Sequence, residues 1–310
     1  ADDSKTVKNW GFYRCIAEFL KSPSGIAFLK KNRMADPLEI IARECNDPVV
    51  AENILENLDL TNMQSVGHQM FNNLYLSKNS KIQNLTIQSL IKFKETNNKL
   101  FTENVFPSIV IPLIKLNQES SYLMDFLIDV FLENEECVEF AANDPDVHKI
   151  LQRQSHQVYC LLFGTENGFK IGNIEPEIQW WCEIGNRQYV RTYDEMVEKS
   201  MKAKNPLPLP PHLFCQLSKT AKGLEYAKTC FKKVIDGLDS KTNTDKRASL
   251  LAIGNFAFNP ESEELIQEYN VLEKLFAFFK TAKSYVLKGT FIASISMFSQ
   301  SKYLSNILEE

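Results

Sequence analysis

The sequence predicts an all-α protein, an α-solenoid of short antiparallel helices. Three observations carry that expectation. Apolar residues recur at helical spacing from end to end, while strict alternation over four or more residues is rare. Glycine is scarce, 11 of 310 residues, and β-branched runs are short. Helix breakers come about every 10 to 20 residues, several of them helix-start signals.

Taken in order, Trp10, Tyr13, Ile16, Ala17 and Leu20 form the first helical stripe, ended by Ser22-Pro23-Ser24-Gly25. Asp36-Pro37 and Asp47-Pro48 each put a capping carboxylate ahead of a proline at the first helical position. Ile82, Leu85, Ile87 and Leu90 with Ile91 mark another helix. Tyr122-Leu123, Phe126-Leu127 and Val130-Phe131-Leu132 mark one that is apolar over most of its circumference, as a helix between neighbours is. After Asn143-Asp144-Pro145 the next long element is a polar helix, roughly Glu177 to Lys202. Ala203 to Pro211, "AKNPLPLPP", has four prolines in its last six residues and must be extended. Pro211 then sits near the first turn of a helix in "PPHLFCQL", with His212 as a first-turn donor. Ser249 to Pro260, "SLLAIGNFAFNP", reads as a buried helix in which Gly254 marks a close approach to a neighbour and Asn255 a buried amide between repeats. Asn259-Pro260 ends it. The expected segments are 1–173 (helical repeats), 174–202 (the aromatic and basic helix), 203–211 (linker) and 212–310 (C-terminal repeats).

A soft internal repeat supports the array. "SPSGIAFL" (22–29), "TENGFKIG" (165–172) and "TAKGLEYA" (220–227) share Ser or Thr, two residues, Gly and an apolar residue. "NPESEELI" (259–266) looks like a version with Ser262 in the glycine place. The irregular register points to a degenerate HEAT or armadillo-like array.

Composition narrows the function. The apolar fraction of 44% excludes a disordered chain. A net charge of −4 gives no support for nucleic-acid or anionic-membrane binding. No apolar run reaches the length of a bilayer span. The chain starts at Ala1 without Met or a signal pattern and is expected to be processed, or a piece of something longer. Seven cysteines without a C-x-x-C read as reduced thiols in a cytoplasmic protein.

Catalytic and ligand-binding patterns are mostly missing. Gly164, Gly168 and Gly172 with Lys170 follow no strand and fit a helix-to-helix turn better than a phosphate cradle. His156 and Cys160 share a helix face but make only half a metal site. His212 and Cys215 lack an orienting acid at recognisable spacing. The acidic runs at 133–139 and 261–264, and the basic pairs at 30–31 and 232–233, suit helix ends. These readings predict no enzyme, no cofactor and no metal. The one distinctive stretch is Ile174 to Val197. It reads either as a helix packing its Trp181-to-Tyr189 side on the array, or as a partner-contacting helix using Trp180, Arg187 and Arg191.

The order of blocks adds a resemblance. An "IEPEIQWW" lead precedes "NRQYV"; the proline segment runs into "LPLPPHLFCQLSKTAKGLEYAK"; then comes "KRASLLAIGNFAFNP", and last "KGTFIASISMF". In this order they resemble the Rictor family, called pianissimo in other lineages. Asn186, Tyr189 and Val190 match its first block. Pro211, His212, Leu213, Leu217, Thr220 and Gly223 match the second. Ala248, Leu250 or Leu251, Ala252, Gly254 and Asn255 match the third, and Gly289, Thr290 and Ser299 the last. Phe214 stands for the family's Tyr, Phe256 for Ile and Lys288 for Arg. The match is specific over 174–310 and weaker over 10–173. What the resemblance implies is a non-enzymatic armadillo/HEAT-like scaffold of TOR complex 2. Its implied partners are the TOR kinase, a Sin-type substrate-recruiting subunit and an LST-type WD-repeat subunit, with no nucleic acid and no direct membrane insertion. The competing expectation is an armadillo adaptor for extended peptides. Such adaptors use Trp and Asn four residues apart, and here Leu251 stands at that offset from Asn255.

Overall fold

The computed structural model describes residues 18–19, 22–61, 66–205 and 207–298, so the stripe from Trp10 to Leu20 and the motif position Ser299 lie outside them. Among the described residues every regular element is helical. Helices pack on helices close to them in sequence, as in an α-solenoid. The chain forms two compact units, residues 1–130 and 131–310. The expected segments 174–202, 203–211 and 212–310 all fall in the second.

The first unit contains α1 (Pro23–Lys31), α2 (Ala35–Glu44), α3 (Pro48–Glu56), α4 (Val66–Tyr75) and α5 (Ser80–Thr96). Then comes a composite α6, made of Asn98–Leu100, a π-helical stretch Phe101–Val110 and Ile111–Lys115. Helix α7 (Ser121–Glu133) begins in this unit. Helix α2 packs on α4 and α3 on α5, burying Ala51, Ile54, Phe71, Leu74, Ile82 and Leu90. Pro107 lies inside the π-helical stretch. It has no N–H and crowds the preceding turn, which the wider π turn accommodates. Asp47 caps α3 as expected, accepting from the Val49 N–H at 2.9 Å ahead of Pro48. At Asp36-Pro37 the expectation fails: α2 starts at Ala35, with Met34 in the cap position and no side-chain cap.

The second unit contains α8 (Glu135–Ala142), α9 (Pro145–Gln154), α10 (His156–Leu162) and α11 (Glu166–Ile171). Helix α12 is composite: Ile174–Trp180, a π-helical turn Trp181–Gly185 and Asn186–Lys202. Next come α13 (Leu213–Leu217), α14 (Ala221–Asp236) and α15 (Asn243–Ala257), then α16 (Glu263–Glu268), α17 (Val271–Thr281) and α18 (Tyr285–Phe298). Helix α15 is central: every residue from Ala248 to Ala257 is buried, against α12, α13, α14 and α18. A helix buried all round shows no amphipathic stripe, which is why its sequence is apolar on every face.

The Ser/Thr-x-x-Gly repeat has one physical cause. Ser22, Thr165 and Thr220 are each a helix N-cap whose hydroxyl accepts from the N–H of Gly25, Gly168 and Gly223, at 3.0, 3.1 and 3.0 Å. At each glycine a Cβ would run into the carbonyl oxygen of the residue six places earlier: Phe19, Leu162 and Leu217. Each is a tight corner in which the new helix starts against the end of the previous one. The fourth copy is different. Asn259 caps nothing with its side chain. Its amide donates instead to the Cys215 carbonyl at 2.8 Å and the Ser218 hydroxyl at 2.7 Å, and Ser262 closes a single 3-10 turn as the N-cap residue of the helix that starts at Glu263.

Candidate functional site

The motif residues Tyr189, His212 and Asn255 converge on one buried joint in the second unit. Tyr189, on α12, donates its hydroxyl hydrogen to the Pro210 carbonyl at 3.0 Å. The same oxygen accepts from the Asn255 amide of α15 at 3.3 Å. Asn255 also donates to the Leu251 carbonyl of its own helix at 2.9 Å. Asn255 is 2% exposed, so its amide is spent inside the fold and is no peptide clamp. One phenol thereby ties a helix, the proline segment and the central helix together. Burial holds the Tyr189 hydroxyl well above the usual phenol range, so it remains a donor.

His212 fills the space beside Tyr189. Its ring lies 4.7 Å from Trp181 and 4.5 Å from Tyr189, perpendicular to the latter. The expected first-turn donor is in fact the N-cap acceptor of α13, Nδ1 taking the Phe214 N–H at 3.1 Å. That bond needs a lone pair on Nδ1, so the ring is neutral. Burial agrees, pushing its pKa down to about 3. Pro211 and Leu213 beside it are buried. Phe214 and Phe256, two departures from the family pattern, meet each other edge-on at 6.5 Å, and Phe256 also packs on Phe231 at 4.4 Å. Lys288, a third departure, lies 5.4 Å over the Phe279 ring.

A second knot was not legible in the sequence. Glu177 is 1% exposed, yet its carboxylate accepts from Trp181 Nε1 at 2.9 Å and lies 2.9 Å from His156 Nδ1. The His156 ring stacks on Trp180 at 3.6 Å. His156 and Cys160 therefore do not share a ligand site; the Cys160 thiol donates to the Gln157 carbonyl at 3.1 Å. The only sequence signal was the four-residue spacing of Glu177 and Trp181.

A third group, also missed, clamps three helices. Arg247 of α15 forks onto Asp194 of α12 and donates through Nε to Thr290 of α18 at 2.9 Å. The motif residue Thr290 is thereby a structural acceptor. Gly254 lies where α18 crosses α15: a Cβ there would sit 2.8 Å from Met297 Sδ and 2.9 Å from Ser294 Cα. The Ser294 hydroxyl donates to the Leu250 carbonyl at 2.6 Å. Gly289, by contrast, is exposed, with nothing within 4 Å of a Cβ. Asn186 and Val190 are buried, Asn186 beside a small cavity. Trp180 is half-buried. Arg187 and Arg191 are exposed and paired with Asp245 and Glu195.

Chemically, the joint holds helices rather than a substrate. Among the described residues no three His, Cys, Asp or Glu gather to hold a metal ion, and no helix is long and apolar enough to cross a membrane. The glycines at 164, 168 and 172 line the corner between α10 and α11 and the end of α11.

Comparison with known proteins bears on the same elements. Residues 101–203 match the family model "Rapamycin-insensitive companion of mTOR RasGEF_N domain", and residues 244–310 match "Rapamycin-insensitive companion of mTOR, domain 5". Protein pianissimo A of Dictyostelium discoideum is 22% identical over 298 residues, covering 89% of this chain. The chain spans 26% of that relative's length. The first match contains Tyr189 and Asp194; the second contains Arg247 and Asn255.

Proposed function

Because the chain belongs to the Rictor family, we propose that it forms part of a scaffold subunit of TOR complex 2. In this reading it has no enzymatic activity and docks on the TOR kinase. A Sin-type subunit and an LST-type WD-repeat subunit complete the assembly, which presents AGC-family kinases to TOR. It works in the cytoplasm and reaches membranes only through the complex. One observation supports the reading: within the second unit, the Tyr189–Asn255 joint and the Arg247–Asp194 clamp tie the end of one family-matched segment to the other. Polar groups are thus used to hold helices to one another, as a scaffold requires. Trp180, Arg187 and Arg191, on the outer part of α12, are the proposed partner contacts, since Trp and Arg dominate binding hot spots.

The test is affinity purification of the tagged protein from its native cell. TOR kinase is expected to co-purify, and Arg191→Glu or Trp180→Ala to reduce its recovery. An adaptor for extended peptides has one observation in its favour, a cavity of about 670 Å³ between α3 and α5, edged by Glu52, Asn53, Glu56 and Asn57. Recovery of no TOR kinase, together with tight binding of a basic peptide, decides for the adaptor.

A further inference from the structure

A cavity of about 690 Å³ lies in the second unit, where the end of α14, the start of α15, α17 and the segment leading into α18 meet. Three lysines from three elements line it: Lys246 on α15, Lys274 on α17 and Lys283 between α17 and α18. Among the described residues none of the three is ion-paired. Three unmatched ammonium groups around one concavity add their potentials at its centre, which draws an anion there. Asn243 and Ser284 add an amide and a hydroxyl donor at the same cavity. Two carboxylates oppose them. Asp236 is held by Lys232 at 3.1 Å, a lysine outside the lining, so its charge is already matched. Asp239 remains, and the balance at the cavity is positive in a chain whose net charge is −4. The rest of the lining is apolar, with Ile235, Leu238, Phe278 and Leu287. Lys246 Nζ lies 5.9 Å from the centroid of the Phe278 ring, so the cationic and apolar parts adjoin. A bare inorganic anion leaves the apolar part unused, and an anionic membrane is repelled by the net negative chain. A phosphorylated side chain brings about −1.5 to −2 charges and three acceptor oxygens, which suit the lysines. An apolar side chain next to it in the same peptide suits Phe278 and Leu287, and the volume is that of an ordinary ligand pocket.

We propose that this cavity binds a phosphorylated peptide segment, its phosphoryl group held by Lys246, Lys274 and Lys283 and a neighbouring apolar side chain against Phe278 and Leu287. The three lysines act as point charges with rotatable donors, so they accept a phosphoryl group without demanding one fixed geometry. The unmodified hydroxyl of the same peptide offers them no charge, so phosphorylation decides occupancy. Asp239 repels the phosphoryl group and limits the affinity. This inference does not rest on the proposed TOR role.

The test is fluorescence anisotropy of the full chain with a labelled pentapeptide, Ala-Leu-phosphoserine-Leu-Ala, and with its unphosphorylated form. Saturable binding of the first is expected, at least about tenfold tighter than that of the second, and weakening as salt is raised. Lys274 and Lys283 are exposed, so their replacement leaves the fold intact. Lys274→Ala and Lys283→Ala are each expected to weaken binding about threefold to tenfold, and Lys30→Ala, in the first unit, to leave it unchanged. Asp239→Asn is expected to tighten it. No saturable binding up to on the order of 1 mM overturns the proposal, as does equal binding of the two peptides or of the two lysine variants. Inorganic phosphate competing as well as the peptide overturns the peptide as ligand. Lysine-dependent capture by phosphatidylserine vesicles without peptide binding assigns the cavity to a membrane instead and overturns it too.

Discussion

Gly254 and Gly289 belong to neighbouring motif blocks, but their surroundings are opposite. A side chain at Gly254 meets Met297 and Ser294. Gly254→Leu is expected to destabilise by about 1–3 kcal/mol through overpacking, read from the urea midpoint. An unchanged midpoint excludes the close crossing. Gly289→Ala meets nothing. It is expected to gain about 0.5–1 kcal/mol, because alanine loses less backbone freedom in a helix. Any effect of that variant on partner recovery is then a surface effect. His212 carries a pH dependence. Its folded pKa of about 3 lies below the ordinary 6.5, so the unfolded chain takes up the proton first. Stability is complete above pH 6.5 and is lost as pH falls from there towards 3. Between pH 7 and pH 5 the loss is about 2 kcal/mol from this group alone. Burial also lowers His148 and His68, which adds loss of the same sign. His212→Asn keeps a capping acceptor, and its stability is expected to fall less between those pH values than that of the parent. Equal slopes in urea titrations sink the assignment.

At the scale of elements, the Arg247 clamp joins α12, α15 and α18 with one guanidinium. Its side chain is 16% exposed and that of Asp194 51%, so solvent screens part of the pair. Arg247→Lys loses the fork and is expected to cost about 1 kcal/mol. A double-mutant cycle with Asp194→Ala checks it, and zero coupling removes the clamp. The helices themselves were legible in the sequence. Ser22, Asp47 and Thr220 announce helix starts because capping is local, and the Ser/Thr-x-x-Gly corners announce turns for the same reason. What stayed hidden was non-local. The Asp36-Pro37 signal gave way to a helix that starts two residues earlier. The His156–Glu177 pair joins residues 21 apart and Arg247–Asp194 residues 53 apart, so no spacing rule finds them. His212 was placed at the right helix start but in the wrong role, because only its buried surroundings decide between donor and acceptor.

For the whole molecule, the family blocks were readable as a linear order, but their meeting point was not. Asn186, Tyr189, His212, Gly254 and Asn255 all turn inward, so a likeness of sequence marks a shared interior rather than a contact surface. The proposed partner contact is therefore assigned to exposed residues such as Arg191, whose pair with Glu195 on the same helix is exposed at both ends. Arg191→Glu is expected to move the unfolding midpoint by less than about 1 kcal/mol while lowering TOR-kinase recovery. A large loss of stability assigns Arg191 to the interior architecture instead. The tie between Tyr189 and Asn255 spans 66 residues, and this has a consequence during synthesis on the ribosome. Helix α12 emerges first; Pro210 and His212 cover Trp181 and Tyr189 in part, and the joint is closed only when Asn255 of α15 has been translated. At roughly 5–20 residues per second that interval is about 3–13 seconds. Nascent chains stalled before residue 243 should be cut by protease near Tyr189 and held by chaperones, and chains stalled well past 298 should resist.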